Sequence, residues 1–395
     1  MTLQHKRILT TAVAAVLVGG LSAAHAAQKS GDRCTKVDAT AGPLRCVNSA
    51  KAGQRPILRW RTIAAPATPT SVAAATPETT PATTIAPPSL TIYSGRTYGI
   101  EQVYERFTKE TGVKLTIVSA SDTANRDRLR AEGPRTPADV YLTTDVGALT
   151  LATDEGLLES IKSPVLEKAI PFGFRDPKNH WFGLSKRSRV IFVNTKNVKP
   201  ADYPQTYDDL ASSTWNGRLC VRPASHVYTQ SLAANLITVK GIGAAARILG
   251  GIAQNTKSQN FIDGDTKILE TLNAGGCDAG LANTYYFGRA SFANVKLIFP
   301  NQGQGQNGAH INLSGAGVVG ASAKKASAIR FIEWLATTGQ ADYAGNNFEF
   351  TVNPAIADRP EVKAFGSFVG DERSIYQYSK VQPSAAIVLA DAGWR

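Results

Sequence analysis

The stretch Asn283-Thr284-Tyr285-Tyr286-Phe287-Gly288-Arg289 places two adjacent phenols, a glycine and an arginine directly behind the small-residue run Cys277 to Ala282. That run reads as a buried strand, so the phenols fall where a strand meets a loop. Two further tyrosines stand at expected strand-to-loop junctions: Tyr98, in Tyr93-Ser94-Gly95-Arg96-Thr97-Tyr98-Gly99, and Tyr228, behind Arg222-Pro223-Ala224-Ser225-His226-Val227. A phenol titrates near pH 10, so a cluster of neutral tyrosines has no special chemistry at neutral pH. A trivalent hard cation changes this, because a bound cation lowers the pKa of its ligands and hard ions prefer oxygen donors. The chemistry these four residues could support is Fe3+ binding. Four phenolates on Fe3+ leave one net negative charge, and Arg96, Arg187, Arg189 and Arg289 are candidates to balance it. Arginine at each position suits planar recognition of oxygen atoms or of an anion.

A tyrosine at a strand end is more often a core residue with its hydroxyl in water, and that reading is adopted for Tyr93, Tyr104 and Tyr141. The five histidines show no metal-ligand spacing. His226 is expected to serve a loop or a helix cap.

Positioning such residues requires a sheet whose strands end on one side, since ligands of open α/β sheets gather outside the carboxyl ends of strands. About 300 residues from Leu90 onward suffice for two lobes. Strands are expected at Leu90–Tyr93, Lys114–Val118, Ala138–Leu142, Val190–Val193 and Leu219–Val221. Helices are expected at Ile100–Thr111, where Gly112 stops the pattern, and near Thr229–Thr238, Gly243–Ile252, Asp265–Asn273 and Ala326–Leu335. Alternating strands and helices imply parallel βαβ units and an α/β fold. No internal repeat is present.

Four cysteines occur without a CxxC pair, and an even count in an exported chain argues for disulfides. The natural pairing is Cys34 with Cys46 and Cys220 with Cys277, one of three that four cysteines allow. Cys220 precedes Tyr228 by eight residues and Cys277 precedes Tyr285 by eight. Parallel neighbouring strands pinned by that disulfide could bring both phenols out at one sheet end.

The amino terminus carries Lys6 and Arg7, an apolar core from Ile8 to Leu21, and Ala24-His25-Ala26, the pattern of a secretory signal cleaved behind Ala26. No cysteine stands at the cleavage point, so no lipid anchor is expected there. No later stretch reaches the roughly 20 apolar residues of a spanning helix. The chain carries a formal charge of +12, and loss of Lys6 and Arg7 brings it to +10. The segment from Ala27 to Arg61 supplies +6 of this, whereas residues 90–395 hold about +5 and Glu78 subtracts one. The Ala/Thr/Pro-rich stretch from Ala64 to Pro88 reads as a semi-extended linker. Trp60 alone accompanies the basic charges, which argues against nucleic acid as a partner. Attraction to an anionic membrane or cell-wall surface is the alternative to a plain disulfide-closed or disordered appendage.

Several stretches together resemble one family, the ferric-ion-binding periplasmic proteins of ABC iron importers, in their cyanobacterial-type branch. They are Leu90–Arg96, Ala138–Asp145, Ser185-Lys186-Arg187-Ser188-Arg189-Val190-Ile191, Asn283-Thr284-Tyr285-Tyr286, and Asn347-Phe348-Glu349-Phe350-Thr351-Val352-Asn353-Pro354. The resemblance implies a bilobal, hinged, type II periplasmic binding protein fold. It carries over Tyr98, Tyr228, Tyr285 and Tyr286 as iron ligands, places Arg289 and one of Arg187 or Arg189 beside them, and pairs Cys220 with Cys277. It further implies a periplasmic monomer without catalytic activity, working with an inner-membrane ABC permease and its ATPase. The expected organisation is a signal peptide over 1–26, an extension and linker over 27–89, lobe 1 from 90–190 with 305–355, and lobe 2 from 191–304 with 356–395. Thr97 stands where some relatives have histidine, which leaves a fifth coordination position to water, or to carbonate held by Arg96 and Arg187. The basic extension lies outside the resemblance. A two-lobed binder of an anion or small organic solute, using Arg96, Arg187 and Ser94, is the competing reading. For an exported hydrolase there is neither a G-x-S-x-G elbow nor an HExxH motif.

Overall fold

The computed structural model describes residues 33–34, 40–41, 44–48, 58–62, 88–371 and 375–395. The signal segment and almost all of the linker lie outside the described residues. The chain separates into two compact units, Met1–Thr83 and Thr84–Arg395.

In the first unit, β1 (Thr40–Ala41), β2 (Leu44–Asn48) and β3 (Leu58–Thr62) form an antiparallel sheet in that order. Cys34 and Cys46 are disulfide-bonded, with Cα atoms 6.1 Å apart.

The second unit is built on one nine-stranded sheet. Its strands are β4 (Ser89–Ser94), β5 (Lys114–Ser119), β6 (Val140–Thr143), β7 (Phe182–Asn194), β8 (Leu219–Val221), β9 (Thr256–Phe261), β10 (Ala279–Asn283), β11 (Val295–Ile298) and β12 (Ile311–Val318). The order is β5-β4-β6-β12-β7-β10-β8-β9, with β11 also on β7. The β4–β5, β4–β6, β8–β9 and β8–β10 pairs are parallel, as alternation with helices predicts. The pairs made by β12 and β7 are antiparallel, so the sheet is mixed rather than all-parallel.

The 13-residue strand β7 explains the difference. As far as Ser188 it pairs with β12, and from Arg189 onward with β10, so one continuous strand serves both lobes. Sequence patterning identified only Val190–Val193, because Ser185, Lys186, Arg187 and Arg189 break the apolar run. In the fold Arg187 and Arg189 are nonetheless buried. Strand β12 escaped notice for a similar reason: its Asn312, Ser314, Gly315 and Gly317 read as a loop.

The expected helices appear as Glu101–Thr111, Val227–Lys240, Ile242–Gln254, Asp265–Asn273 and Lys325–Ala336. Gly112 ends the first in the left-handed conformation, φ 73°, which glycine adopts without steric cost. The last helix, Ile375–Asp391, is not among the helices expected from the sequence and packs chiefly on Val227–Lys240.

Candidate metal centre

Strands β8 and β10 are parallel neighbours, and each delivers a tyrosine at its carboxyl end. Behind β8 the chain loops through Arg222–His226, and the helix Val227–Lys240 begins with Tyr228 as its second residue. The His226 ring accepts a hydrogen bond from the Tyr228 backbone N–H through Nδ1, at 3.2 Å, so His226 is a helix cap as expected. Behind β10 the chain turns at once into Thr284–Gly288, whose second residue is Tyr285. Cys220 and Cys277 are disulfide-bonded with Cα atoms 6.0 Å apart. The equal eight-residue offsets are not a matter of strand register, because Cys220 sits opposite Gly280. What aligns the two phenols is the matching place each takes in its helix.

The hydroxyls of Tyr228 and Tyr285 lie 3.0 Å apart. The Tyr286 ring centroid is 4.3 Å from that of Tyr285. Tyr98 approaches from the loop behind β4, and the Arg289 guanidinium ties the group together. It lies 4.6 Å from the Tyr98 ring centroid, 4.8 Å from that of Tyr285 and 4.9 Å from that of Tyr286. Two glycines make room for this. Gly99 holds φ at +63° with the Asn346 carbonyl 3.0 Å from where a Cβ would stand, and a Cβ on Gly288 would meet Phe348 at 2.5 Å.

Burial raises Tyr228 and Tyr285 well above the ordinary phenol pKa, with the neighbouring tyrosines adding to the effect and Arg187 opposing it. Burial, with Asp265 nearby, raises Tyr286 as well. Without a cation among them these three phenols are therefore neutral at neutral pH. Ionising them together requires a concentrated positive charge in their midst. Among the described residues no group of three His, Cys, Asp or Glu side chains could hold a metal ion.

The four arginines divide into two kinds. Arg96 is 1 % exposed and bonds Glu349 at 2.8 Å, Ser185 at 3.2 Å and the Tyr343 carbonyl at 2.5 Å. Arg189 bonds Asp265 at 2.6 Å and the Leu281 carbonyl at 2.9 Å. Both guanidiniums are thus neutralised by buried carboxylates. Arg187 donates to the Thr144 carbonyl and weakly to Ser314. Among the described residues no carboxylate lies within ion-pair distance of it. Its guanidinium stands 5.4 Å from the Tyr228 ring. Arg289 donates to Asn347 Oδ1, and likewise has no carboxylate within ion-pair distance among the described residues.

Sequence reasoning did not name Glu349, Asp265, Thr144, Ser314 or Asn347 as partners of these arginines. Glu349 and Asn347 do fall within the stretch Asn347–Pro354 that carried the family resemblance. A cavity of about 490 Å3 opens beside Tyr98 and Tyr228, with Asp122, Arg126, Asp145, Ser225 and Gln230 on its walls.

An α/β chain whose two sub-sheets share one strand, with oxygen donors collected at strand ends, has the architecture of an extracytoplasmic solute-binding protein. The chain belongs to the bacterial extracellular solute-binding protein family, whose model matches residues 135–372. It is 35 % identical over 318 residues to iron uptake protein A1 of Synechocystis, an alignment covering 78 % of this chain and 87 % of the relative. It is 29 % identical to the major ferric iron-binding protein of Neisseria meningitidis, over 70 % of this chain and 85 % of that one. A Trichodesmium protein solved with iron and citrate ligands superposes with a TM-score of 0.73 at 35 % identity, covering 78 % of this chain and all of that chain. The bilobal α/β fold and the ferric-binding family read from the sequence are those of these relatives.

Proposed function

We propose that the protein captures Fe3+ outside the cytoplasm with the phenolates of Tyr98, Tyr228, Tyr285 and Tyr286 and delivers it to an ABC permease driven by its ATPase. The observation that carries this reading is the 3.0 Å approach of the hydroxyls of Tyr228 and Tyr285, two buried phenols whose pKa values burial raises. Such an arrangement has little use without a cation to deprotonate it. Iron is cargo here, so no turnover is involved. Tyr98 belongs to the lobe of β4, and the other three tyrosines belong to the lobe of β8 and β10. An ion bound by all four joins the lobes, and hinge closure then shields it.

Arg187 and Arg289 offset the negative charge of a tetraphenolate ferric centre, while Arg96 and Arg189 brace the frame. A fifth position is left to water or to an oxygen anion such as carbonate, with Arg187 as a candidate donor. The relatives' names, which speak of iron uptake and ferric iron binding, support the assignment.

The test is metal analysis with visible spectroscopy of the purified protein, repeated on Tyr285→Phe and Tyr286→Phe. A ferric phenolate absorbs visible light and an anion complex does not. Each substitution should weaken or shift the band. Unchanged spectra and iron content in both variants would sink the assignment.

A further inference from the structure

Protein contacts that need no metal join the two lobes beside the phenols. The turn that follows the helix Gln340–Gly345 belongs to the lobe of β4. Its Glu349 bonds Arg96 at 2.8 Å, and Phe350 bridges to Lys186 in the part of β7 that pairs with β12. Gly288 and Arg289 belong to the other lobe, at the end of the short helix Thr284–Gly288 behind β10. Across the cleft Arg289 donates to Asn347 Oδ1, and its guanidinium lies 4.6 Å from the Tyr98 ring centroid. Beside it the Phe348 ring packs on Gly288, where a Cβ would meet it at 2.5 Å. Phe348 holds φ at +59°, a left-handed conformation that bulky side chains rarely adopt. The end of the preceding helix imposes it, since Phe348 N–H bonds the Gly345 carbonyl at 3.0 Å and Glu349 N–H the Ala344 carbonyl at 3.1 Å. Backbone strain of this kind gathers at clamps and switches.

Asn347 is 2 % exposed, and its Nδ2 has no hydrogen-bond partner among the described residues. Leaving a buried donor unpaired is costly, so the side chain is held there by its acceptor, which serves Arg289. We propose that Asn347 is a positioning residue that latches the lobes together through Arg289, before any metal is present. The choice of an amide has a physical reason. Arg96 and Arg189 are fixed by carboxylates, which cancel their charge. A neutral acceptor fixes Arg289 and leaves its positive charge free to face the rings of Tyr98, Tyr285 and Tyr286. The inference rests on the proposed function only in that the latched cleft is the one that takes iron.

The experiment is small-angle X-ray scattering of the full exported chain, stripped of iron with a chelator, beside its Asn347→Ala, Arg289→Gln and Asn347→Asp variants. The Ala and Gln variants should show a larger radius of gyration than the parent, and combining them should open the cleft no further than either alone. Asn347→Asp should stay as compact as the parent, because it keeps the acceptor and loses only the unpartnered Nδ2. Loaded with Fe3+, Asn347→Ala should pass the metal to a competing chelator roughly 10- to 100-fold faster, the factor that one hydrogen bond to a charged group contributes. Asn347→Asp should hold iron less tightly than the parent while remaining compact, a split that a merely structural asparagine would not produce. Iron-free Ala and Gln variants that scatter as the parent does, or an Asp variant as open as the Ala variant, would overturn the latch. The scattering arm uses no metal, so a chain that binds no Fe3+ would defeat the proposed function and leave the latch to be judged on its own.

Discussion

Tyr228 and Tyr285 touch through their hydroxyls at 3.0 Å, and their sequence separation of 57 equals that of Cys220 and Cys277. A disulfide that ties the middle of β8 to the chain entering β10, and a phenol pair beyond the carboxyl ends of both strands, make a single module. Its covalent closure should matter to the site as well as to stability. Closing a loop of this length contributes about 4 kcal/mol in the chain-entropy model. Cys220→Ser with Cys277→Ser is expected to lower the unfolding free energy by up to that amount and to weaken iron retention. Denaturant titration and the visible band measure the two effects.

Tyr228→Phe and Tyr285→Phe keep the buried ring and remove one oxygen. Stability should change by no more than about 1 kcal/mol, the usual worth of one hydrogen bond. Iron affinity should fall beyond the roughly 10- to 100-fold typical of losing a supporting group. A competitive chelator titration read at the visible band separates the outcomes. Parental affinity in either variant would contradict the ligand assignment.

Arg96 and Arg187 look alike in sequence and should behave differently. Arg96→Gln strands Glu349, which is 2 % exposed, so it should destabilise the fold by about 3–5 kcal/mol. Arg187→Gln leaves no carboxylate behind among the described residues. It should act mainly on the metal, costing roughly 10- to 100-fold in affinity and shifting the band. Thermal melting without iron and spectra with iron distinguish the pair.

Acid and alkali should affect the protein through different groups. Ligand binding requires deprotonated phenols, so iron affinity falls as pH falls. In the iron-free protein Tyr228 and Tyr285 have folded pKa values raised by burial. Their contribution to stability is present below the unfolded value near 10 and is lost as pH rises above it. His310 runs the other way. Burial first, then Arg187 and Arg189, lower it to about 3, so its contribution is present above 6.5 and lost as pH falls toward 3. Replacing His310 by Gln should flatten the acid limb of a stability–pH curve, a difference of at most a few kcal/mol. An unaltered limb would assign acid unfolding to other groups.

The gathering of the candidate tyrosines was largely legible because phenols are unusual together at strand ends. Tyr285 and Tyr286 behind a small-residue strand mark one end of the sheet, whereas the matching cysteine offsets do not reflect strand register, since Cys220 sits opposite Gly280. The arginines were harder to sort. Only Arg96 and Arg289 stand beside the phenols in the sequence, and nothing local distinguishes Arg96, which meets Glu349 253 positions away, from Arg187, which has no carboxylate within ion-pair distance among the described residues. Long-range pairing decides that, and no spacing rule reports it. The strands β7 and β12 were hidden for a related reason. Their polar residues are satisfied by partners far away in sequence, Ser185 by Glu349, Arg189 by Asp265 and Asn312 by Asp145, so the apolar alternation that marks an ordinary strand is missing.

Strand β7 belongs to both lobes, and its two arginines sit on either side of the point where its pairing changes partner. Arg187 lies opposite Asn312 in one lobe, while Arg189 lies opposite Asn283 in the other, next to the phenols. Any rotation that parts the lobes between Ser188 and Arg189 carries Arg187 away from Tyr228 and Tyr285 and leaves Arg189 locked to Asp265. Swinging apart therefore strips a cation from the tyrosine nest in the same stroke that exposes it to water. Under the proposed function, mechanical and electrostatic release would then coincide.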